Sequence, residues 1–232
     1  MAVKRLEVPE IGEVTLQKRR GTRSVRIHIN GNEVRVTLPH WISYSQALKF
    51  IQTRKKWIKE NRKEAPFLTH GTYVGKQHRI TLEEKPVKNI RSKLKSGVIA
   101  VSAPHSTDVS APSVQMKLGK IAERALLKES EALIKPRIED LALEYDFDYG
   151  SISFKKLKTR WGSCDHESNI VINIYLVQLP WQLIDYVLVH ELAHTKHHDH
   201  SPKFWSEVEE CLPNFKDLRK QMKKFHPHII TD

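Results

Sequence analysis

The sequence has few of the features that mark secreted, disulfide-bonded or membrane proteins. It contains two cysteines, Cys164 and Cys211, which are too few for a disulfide framework and fit a reducing compartment. No run of about 18 apolar residues is present, and the first seven residues, MAVKRLE, lack the apolar stretch of a signal peptide. These absences predict a cytoplasmic protein of 232 residues that does not enter the membrane.

Acidic residues are scarce in the first half of the chain. Residues 1–111 hold 22 Lys and Arg against 9 Asp and Glu, whereas residues 112–232 hold 17 against 18. The net charge of +12 therefore arises in the first half. This asymmetry is typical of a surface that contacts a polyanion, so nucleic acid is one partner that the basic half predicts. Solvated Lys and Arg that serve only solubility are the alternative.

The most informative motif is a pair of histidines four residues apart, in the sequence VHELAH at 189–194. Side chains at this spacing lie on one face of a helix, so His190 and His194 can each place a nitrogen about 2.0–2.1 Å from one zinc ion. Glu191 is offset from that face, but it can reach a water molecule beside the ion, which is the position of a general base. The motif predicts a zinc hydrolase with Glu191 as the catalytic residue.

A catalytic zinc site needs a third protein ligand. His200 is the first candidate, because a turn after the helix would bring it back to the ion. The spacing is that of metzincins, although His197 stands where they have glycine and no clear Met-turn follows. The alternative is a carboxylate from the next predicted helix, which contains Glu207, Glu209 and Glu210.

The same residues also allow an interpretation without catalysis. Residues 194–200 contain four histidines, which fit a solvated helix end that binds metal adventitiously. The preceding residues 183–189 are mostly apolar and predict a buried helix. Unpartnered histidines and a glutamate in a buried helix carry a desolvation cost, which a bound metal removes. We therefore favour the metal site.

The hydrophobic pattern predicts an α+β fold with a β-rich N-terminal region and a zincin-like catalytic domain. Apolar residues alternate through residues 14–38, and an amphipathic helix is expected from about Ser43 to Lys63. Strands follow near 72–82 and 98–102. A stretch rich in Pro and Ser near residues 103–113 coincides with the charge change, which predicts a basic N-terminal domain at 1–110 and a catalytic domain at 111–232.

In the second half, a helix is expected over residues 113–145, interrupted or bent at Pro136. Strands are expected at 152–157 and 170–175, with a loop at 160–164 between them, and together they form a small twisted sheet against the buried HExxH helix. The second strand is a candidate cleft strand that pairs with an extended peptide, or else an interior strand. Residues considered for the substrate or for bracing the metal ligands are Arg160, Asn173, Tyr175 and His198.

Several segments together resemble a known family. They are KTRWGSC at 158–164, NIVINIYL at 169–176, the histidine helix, and HSPKFW at 200–205. This combination is similar to the YgjP-like family of predicted metal-dependent hydrolases, related to the SprT-like and WLM metallopeptidases. The resemblance is specific over residues 155–225 and looser upstream, at RSVR (23–26), WI (57–58) and VGK (74–76). It implies a cytoplasmic zincin with His190, His194 and His200 on zinc, and it implies no particular substrate.

Three functions of different classes are compatible with these residues. The first is a zinc metallopeptidase that cleaves a peptide or protein substrate. The second is a basic nucleic-acid-associated protein, or a protease that acts near nucleic acid. The third is a hydrolase of other amides. A structural zinc normally has four protein ligands, so a set of three histidines beside Glu191 favours catalysis.

Overall fold

The computed structural model describes residues 3–30, 33–61 and 67–230. The chain divides into two compact units, Met1–Ala65 and Pro66–Asp232. The helix end predicted near Lys63 lies outside the described residues, as does Gly31, within the stretch of alternating apolar residues. Within the described ranges, no helix is both long and apolar enough to cross a membrane.

The first unit is a four-stranded sheet with two helices. Its elements are β1 (Val3–Val8), β2 (Gly12–Lys18), β3 (Arg26–Asn30), β4 (Glu33–Leu38), α1 (Tyr44–Thr53) and α2 (Lys55–Asn61). The strand order is β1-β2-β4-β3, and β2 and β4 run parallel. Alternate residues of the central strands, such as Leu16 and Val36, join Ala47 and Ile51 in one core. The Ser43 side chain caps α1 in a capping box with Gln46, as its N-cap prediction requires.

The second unit contains two further sheets and four α-helices. The first sheet has the order β5-β6-β8-β7, from β5 (Tyr73–Val74), β6 (His78–Glu84), β7 (Arg91–Lys95) and β8 (Val98–Ala103). The second has the order β10-β11-β9, from β9 (Ile152–Lys155), β10 (Gly162–Cys164) and β11 (Ile170–Asn173). The helices are α3 (Pro112–Glu144), α4 (Trp181–Lys196), α5 (Pro202–Cys211) and α6 (Phe215–Met222), with a 3₁₀ helix at Ile174–Gln178.

The compact units do not divide at the boundary predicted near residue 110. Strands β5 to β8 belong to the second unit, because their buried residues share one apolar core with α3 and the strands and helices after it. Ile80 and Ile99, for example, lie in the same cluster as Leu126. The stretch near residues 103–113 is therefore a connection inside the second unit, and the charge change does not follow the packing.

Helix α3 is continuous across Pro136 and is not interrupted there as the sequence suggested. Proline removes one backbone hydrogen bond and normally weakens a helix interior. Ile134 and Ile138, on either side of Pro136, are fully buried, so tertiary packing holds the helix together at this point.

A buried carboxylate ties the first sheet of the second unit to α3, and a lysine ties it to the residue before Pro180 and α4. Glu129 of α3 accepts hydrogen bonds from the backbone amides of Lys76 and Gln77, and its second oxygen lies 2.8 Å from Nδ1 of His78. The Lys76 ammonium donates to the Leu179 carbonyl, 2.8 Å away and just before α4. Gly75 has φ +69°, and a Cβ at this position would collide with the Glu129 carboxylate. This close approach is a physical reason for glycine in the VGK segment.

The three-stranded sheet corrects one expectation about the cleft. Strand β11 is paired on both sides, antiparallel to β10 and parallel to β9, so its backbone cannot accept a further strand. The two edge strands are β9 and β10, and β10 lies within the segment 160–164 that was predicted to be a loop. The three residues of β10 are too few, and too poor in apolar side chains, for alternation to reveal a strand.

Helix α4 is surrounded by α3, α5, α6 and β10. Apolar residues on most of its sides are buried, including Leu183, Leu188 and Leu192. Asp185 accepts two hydrogen bonds of 2.8 Å from the Arg137 guanidinium, which fixes α4 against α3. The predicted α+β architecture, with a small sheet beside the buried motif helix, is confirmed.

Candidate metal centre

The histidines of the motif meet at one point. Within the described residues, one group of side chains converges as metal ligands would: the nitrogens of His190, His194 and His200 all lie within 4.8 Å of one another. The Nε2 atoms of His190 and His200 are 3.2 Å apart. Two nitrogens bound to one tetrahedral zinc ion are separated by about 3.4 Å, so this spacing fits a shared ion.

The end of α4 explains how His200 reaches the other two histidines. His197 has an extended conformation, so the helix stops there and the chain turns toward α5. Nδ1 of His194 lies 3.0 Å from the His197 carbonyl oxygen, which orients the ring with Nε2 toward the cluster. A backbone partner of this kind also fixes the tautomer of a ligand histidine.

Helix α5 supplies an aromatic floor under the three imidazoles. The Phe204 ring is fully buried, and its centroid lies 4.9, 4.5 and 4.9 Å from the centroids of His190, His194 and His200. The Trp205 ring stacks on His200 at 5.6 Å. The HSPKFW segment therefore contributes both a histidine and the rings that hold the histidines in place.

Burial favours the neutral, metal-binding form of His190 and His194. Burial lowers the pKa of His190 to about 3, with smaller contributions from His194 and His200. Burial also lowers the pKa of His194, although the His197 carbonyl opposes this shift. Nδ1 of His190 is buried without a hydrogen-bond partner in the described part of the chain.

Glu191 lies under the edge strand β10. It is 5% exposed, and burial raises its pKa to about 8, while the charge of Arg160 partly opposes this shift. A Cβ built on Gly162 would lie 2.6 Å from Oε1 of Glu191, which is closer than real contacts permit. The glutamate carboxylate therefore occupies space that only glycine leaves open in this strand.

Asn173 holds the segment that leads into β10. This fully buried side chain donates two hydrogen bonds of 2.8 Å, to the carbonyls of Leu157 and Arg160. Its backbone amide donates to the Trp161 carbonyl at 2.8 Å. Asn173 was considered as a substrate or ligand-bracing residue, and the structure gives it the task of fixing the backbone around Arg160.

The remaining residues considered from the sequence occupy different positions. Tyr175 is buried in the 3₁₀ helix and donates to Glu123 of α3, so its hydroxyl is not available to stabilise an oxyanion. His198 is exposed beside the cluster, with its ring 4.9 Å from that of His166. The alternative ligand Glu207 binds Lys196 at 2.8 Å.

The other alternative ligands and the cysteine also lie outside the cluster. Glu209 pairs with Lys216, and Glu210 is exposed on α5. Cys164 is half-buried, and burial raises the pKa of its thiol to about 11, with Glu191 adding to the shift. A protonated thiol is a poor metal ligand, which leaves the three histidines as the candidate donors.

Sequence reasoning missed the close approach of Gly162, the aromatic floor and a pocket next to the cluster. The string RWG and the pair FW were visible, but their contacts depend on how β10 and α5 pack on α4. Tyr186, four residues before His190, carried the one usable signal, because that spacing places it on the same helix face.

The site defines a class of protein before any comparison is made: a helix with an HExxH motif, a third histidine and a buried glutamate form a metallohydrolase centre. A scan of family models agrees, since residues 23–225 match the model described as YgjP-like, metallopeptidase domain. The chain belongs to the YgjP-like family and carries its metallopeptidase domain. The family resemblance and the enzyme class predicted from the sequence are confirmed.

Two solved structures are similar to part of the chain. The metallopeptidase zymogen abylysin from Pyrococcus abyssi is 23% identical, with a TM-score of 0.38, and the match covers 42% of this chain and 100% of that one. The metallopeptidase zymogen jannalysin from Methanocaldococcus jannaschii is 20% identical, with a TM-score of 0.36, and covers 39% and 94%. No curated protein sequence matches the chain.

Proposed function

We propose that the protein is a zinc-dependent peptidase in which His190, His194 and His200 hold the ion and Glu191 is the general base. The observation that carries the proposal is the convergence of three imidazole nitrogens within 4.8 Å beside a buried carboxylate. Three protein ligands leave one coordination position for water or substrate, as in catalytic zinc sites.

The donor set supports zinc as the metal. Three neutral imidazoles are nitrogen donors of intermediate softness, which suit zinc better than magnesium or calcium. The burial that lowers the pKa of His190 to about 3 keeps this ring able to bind a cation at neutral pH.

Two unpaired cysteines, Cys164 and Cys211, support a cytoplasmic location.

In the proposed mechanism, a bound zinc ion supplies Lewis acidity toward a water molecule and the scissile carbonyl. Glu191 accepts one proton as the water oxygen forms its bond to the carbonyl carbon. The same carboxyl then delivers that proton to the leaving nitrogen when the carbon–nitrogen bond breaks. Its burial beneath Gly162 confines the carboxylate to one position near the histidines.

The edge strand favours an extended peptide as the substrate. The Trp161 carbonyl bonds to Asn173, and Ser163 stands opposite Val171, so alternation directs the backbone groups of Gly162 and Cys164 away from β11. An extended peptide can pair with these groups. Small amides lack such a backbone, and their cleavage in preference to an unfolded protein would favour the amide-hydrolase alternative.

The test compares three variants of zinc-loaded protein. Glu191→Gln should retain zinc and lose hydrolysis of an unfolded protein by at least about 100-fold, because the base is removed and the ligands stay. His194→Ala should lose both zinc and hydrolysis. His226→Ala removes an exposed imidazole outside the cluster and should change neither. Metal content is measured by mass spectrometry after dialysis, and normal zinc in His194→Ala would contradict the proposed ligands.

A specific observation in the first unit favours nucleic-acid contact as a second function. The strand register aligns Arg5, Thr15, Arg35 and His28 across the sheet, and Arg26 and Thr37 stand side by side in the next row. Because side chains alternate along a strand, these residues share the face opposite the buried apolar residues with Glu7 and Glu13. Glu13 pairs with Arg5 at 4.0 Å, so the excess positive charge lies at Arg26 and Arg35. We propose that this basic face contacts a phosphate backbone.

Binding to a short duplex DNA and to a single-stranded RNA tests this second function. Affinity should fall steeply as salt increases, and the slope should decrease when Arg26 and Arg35 are both replaced by Glu. The double variant Lys49→Glu and Lys56→Glu, on exposed positions of the helices, is the matched control for charge. Equal losses in the two double variants would mean that the sheet face has no special part.

A further inference from the structure

A pocket of about 280 Å³ opens next to the proposed ligand and base. It lies against His190 and Glu191, and its remaining wall residues are Arg160, Trp161, Gly162, Tyr186, Val187 and Met222. Pockets for whole small molecules usually exceed about 300 Å³, so this volume is closer to that of one large side chain. Its position makes it a subsite for a residue adjacent to the bond that is cleaved.

Most of the pocket wall is apolar. Tyr186, Val187 and Met222 are 7%, 5% and 8% exposed, and Trp161 is half-buried. A substrate side chain that enters displaces water from these surfaces, which favours an apolar or aromatic group. The wall thus selects a substrate side chain by its size and apolarity. Selection of a polar group depends on the one charged wall residue outside the proposed catalytic group.

That charged residue is Arg160, and its guanidinium has no carboxylate partner in the described ranges of the chain. Its side chain is exposed, while its backbone carbonyl is fixed by the buried Asn173 amide at 2.8 Å. It lines the same pocket as His190 and Glu191, so its positive charge lies at the site. A cation with a fixed backbone and no internal partner is available to an external anion.

A second arginine adds to the positive potential beside the pocket. Arg219 lies 4.4 Å over the Trp205 ring, and the centroid of that ring is 5.9 Å from that of His190. Arg160 precedes β10 and Arg219 belongs to α6, so positive charge approaches the cluster from two elements and favours a negatively charged substrate group.

We propose that Arg160 and this pocket form a subsite for peptides that carry a carboxylate beside an apolar residue. The inference rests on the proposed peptidase function and names its substrate class. The carboxylate has two sources, the C-terminus of a peptide or an Asp or Glu side chain. Arg160 donates hydrogen bonds to either one, while the apolar side chain fills the pocket.

Three fluorophore-labelled peptides of equal length, each with the same Phe, distinguish these sources. The first has a free C-terminus and neutral side chains, the second is amidated and contains Glu next to the Phe, and the third is amidated with Gln in place of that Glu. Binding is measured by fluorescence anisotropy on zinc-loaded Glu191→Gln protein, which keeps the peptides intact. Tighter binding of the first peptide identifies a terminal carboxylate, and tighter binding of the second identifies an acidic side chain.

The preferred carboxylate peptide should bind about tenfold more tightly than the Gln peptide, as expected for hydrogen bonds to a charged group. Arg160→Ala should abolish the difference, and Arg160→Lys should restore part of it. Lys155→Ala, which removes an exposed positive charge from β9 of the same sheet, should leave it unchanged. In the cleaving protein, Arg160→Ala should raise KM for that peptide about tenfold with kcat preserved.

Equal binding of all three peptides, or a preference that survives Arg160→Ala, would overturn the subsite. The binding readout does not require cleavage. If the parent protein loads zinc and hydrolyses none of the peptides or an unfolded protein, the peptidase proposal fails. The Arg160 comparison still gives a separate answer in that case.

Discussion

At the residue scale, the position of Glu191 depends on a side chain that is missing from its neighbour. The carboxylate lies where a Cβ of residue 162 would be, and both groups belong to elements that are fixed by other contacts. Glu191 is on the buried helix α4, and the backbone before Gly162 is held by Asn173. Gly162 therefore acts as a positioning residue for the proposed base.

Gly162→Ala should retain the metal and lose activity. The added methyl group displaces the Glu191 carboxylate, so kcat should fall about 100-fold, within the range for loss of a general base, while zinc affinity stays unchanged. Gly119→Ala, in α3, where a Cβ meets no atom within 4 Å, is the matched control and should be fully active. Kinetics and zinc titration are measured on all three proteins. Full activity in Gly162→Ala would mean that the base tolerates displacement.

The sequence predicts the metal-binding histidines better than it predicts the need for glycine at position 162. His190, His194 and His200 follow from helix spacing and a turn, because these relations are local. The need for glycine at 162 was not predictable, since it arises only when β10 packs on α4. Tyr175 misled for the same reason: a polar aromatic near the motif was placed in the site, whereas packing turns its hydroxyl to Glu123.

At the element scale, α5 determines how rigid the metal centre is. Its first turn carries Phe204, whose ring contacts all three imidazoles and is fully buried. Ligands held by packing lose little freedom when the ion binds, so part of the metal affinity resides in this helix.

Phe204→Leu should weaken metal binding, and the loss of metal affinity should be larger than the loss of folding stability accounts for. A core exchange of this kind costs about 1.5 kcal/mol of unfolding free energy and leaves a gap under the imidazole rings. Phe147→Leu, at another buried phenylalanine of the same core, should cost similar stability with no change in zinc affinity. Urea unfolding and competition with a zinc chelator are the measurements. Parallel losses of zinc affinity in both variants would contradict a specific role for α5.

Long, strongly patterned elements were predictable and short ones were not. Helix α3 was expected close to its observed bounds, and a buried helix was expected around residues 183–194, because apolar residues recur there over many positions. Strand β10 consists of Gly, Ser and Cys, which have no apolar alternation, and its pairing with β11 is a tertiary contact. Of the two alternatives left open for residues 170–175, the interior strand is the one observed, and the edge strand β10 was not predicted.

At the scale of the whole molecule, the site makes stability depend on pH in two opposite directions. His190 has its pKa lowered to about 3, so below its ordinary value near 6.5 the unfolded chain binds more protons and stability falls as pH decreases. Glu191 has its pKa raised to about 8, so between about 4.5 and 8 the folded chain holds a proton that the unfolded chain has lost. The contribution of Glu191 to the free energy of unfolding therefore falls as pH increases.

In protein from which a chelator has removed the metal, the contribution of Glu191 to the free energy of unfolding should therefore be smaller at pH 8 than at pH 5.5. The slope contributed by one proton is about 1.4 kcal/mol per pH unit at most. Glu191→Gln has no ionisable group at this position, so its unfolding free energy should gain on that of the parent as pH rises. Urea unfolding of both stripped proteins across this range gives the difference. Parallel curves would show that Glu191 ionises as easily in the folded chain as in the unfolded one.

The division of the molecule was the least predictable part of the fold. Composition and charge change near residue 110, but the buried residues of β6 and β8 pack with α3, so the compact units divide between residues 65 and 66. Charge is a property of solvated surface and need not follow the core. The α+β class, in contrast, rests on apolar patterning, which the core does follow.

The three imidazoles all belong to an 11-residue stretch, from His190 to His200. The glycine above the carboxylate and the cation at the pocket come from residues 160–162, which meet that stretch through tertiary packing. The proposed ligands thus come from one helix and the turn after it, whereas the groups that position the proposed base and face the pocket come from another part of the chain. A change at residues 160–162 can therefore disable cleavage and leave the metal in place.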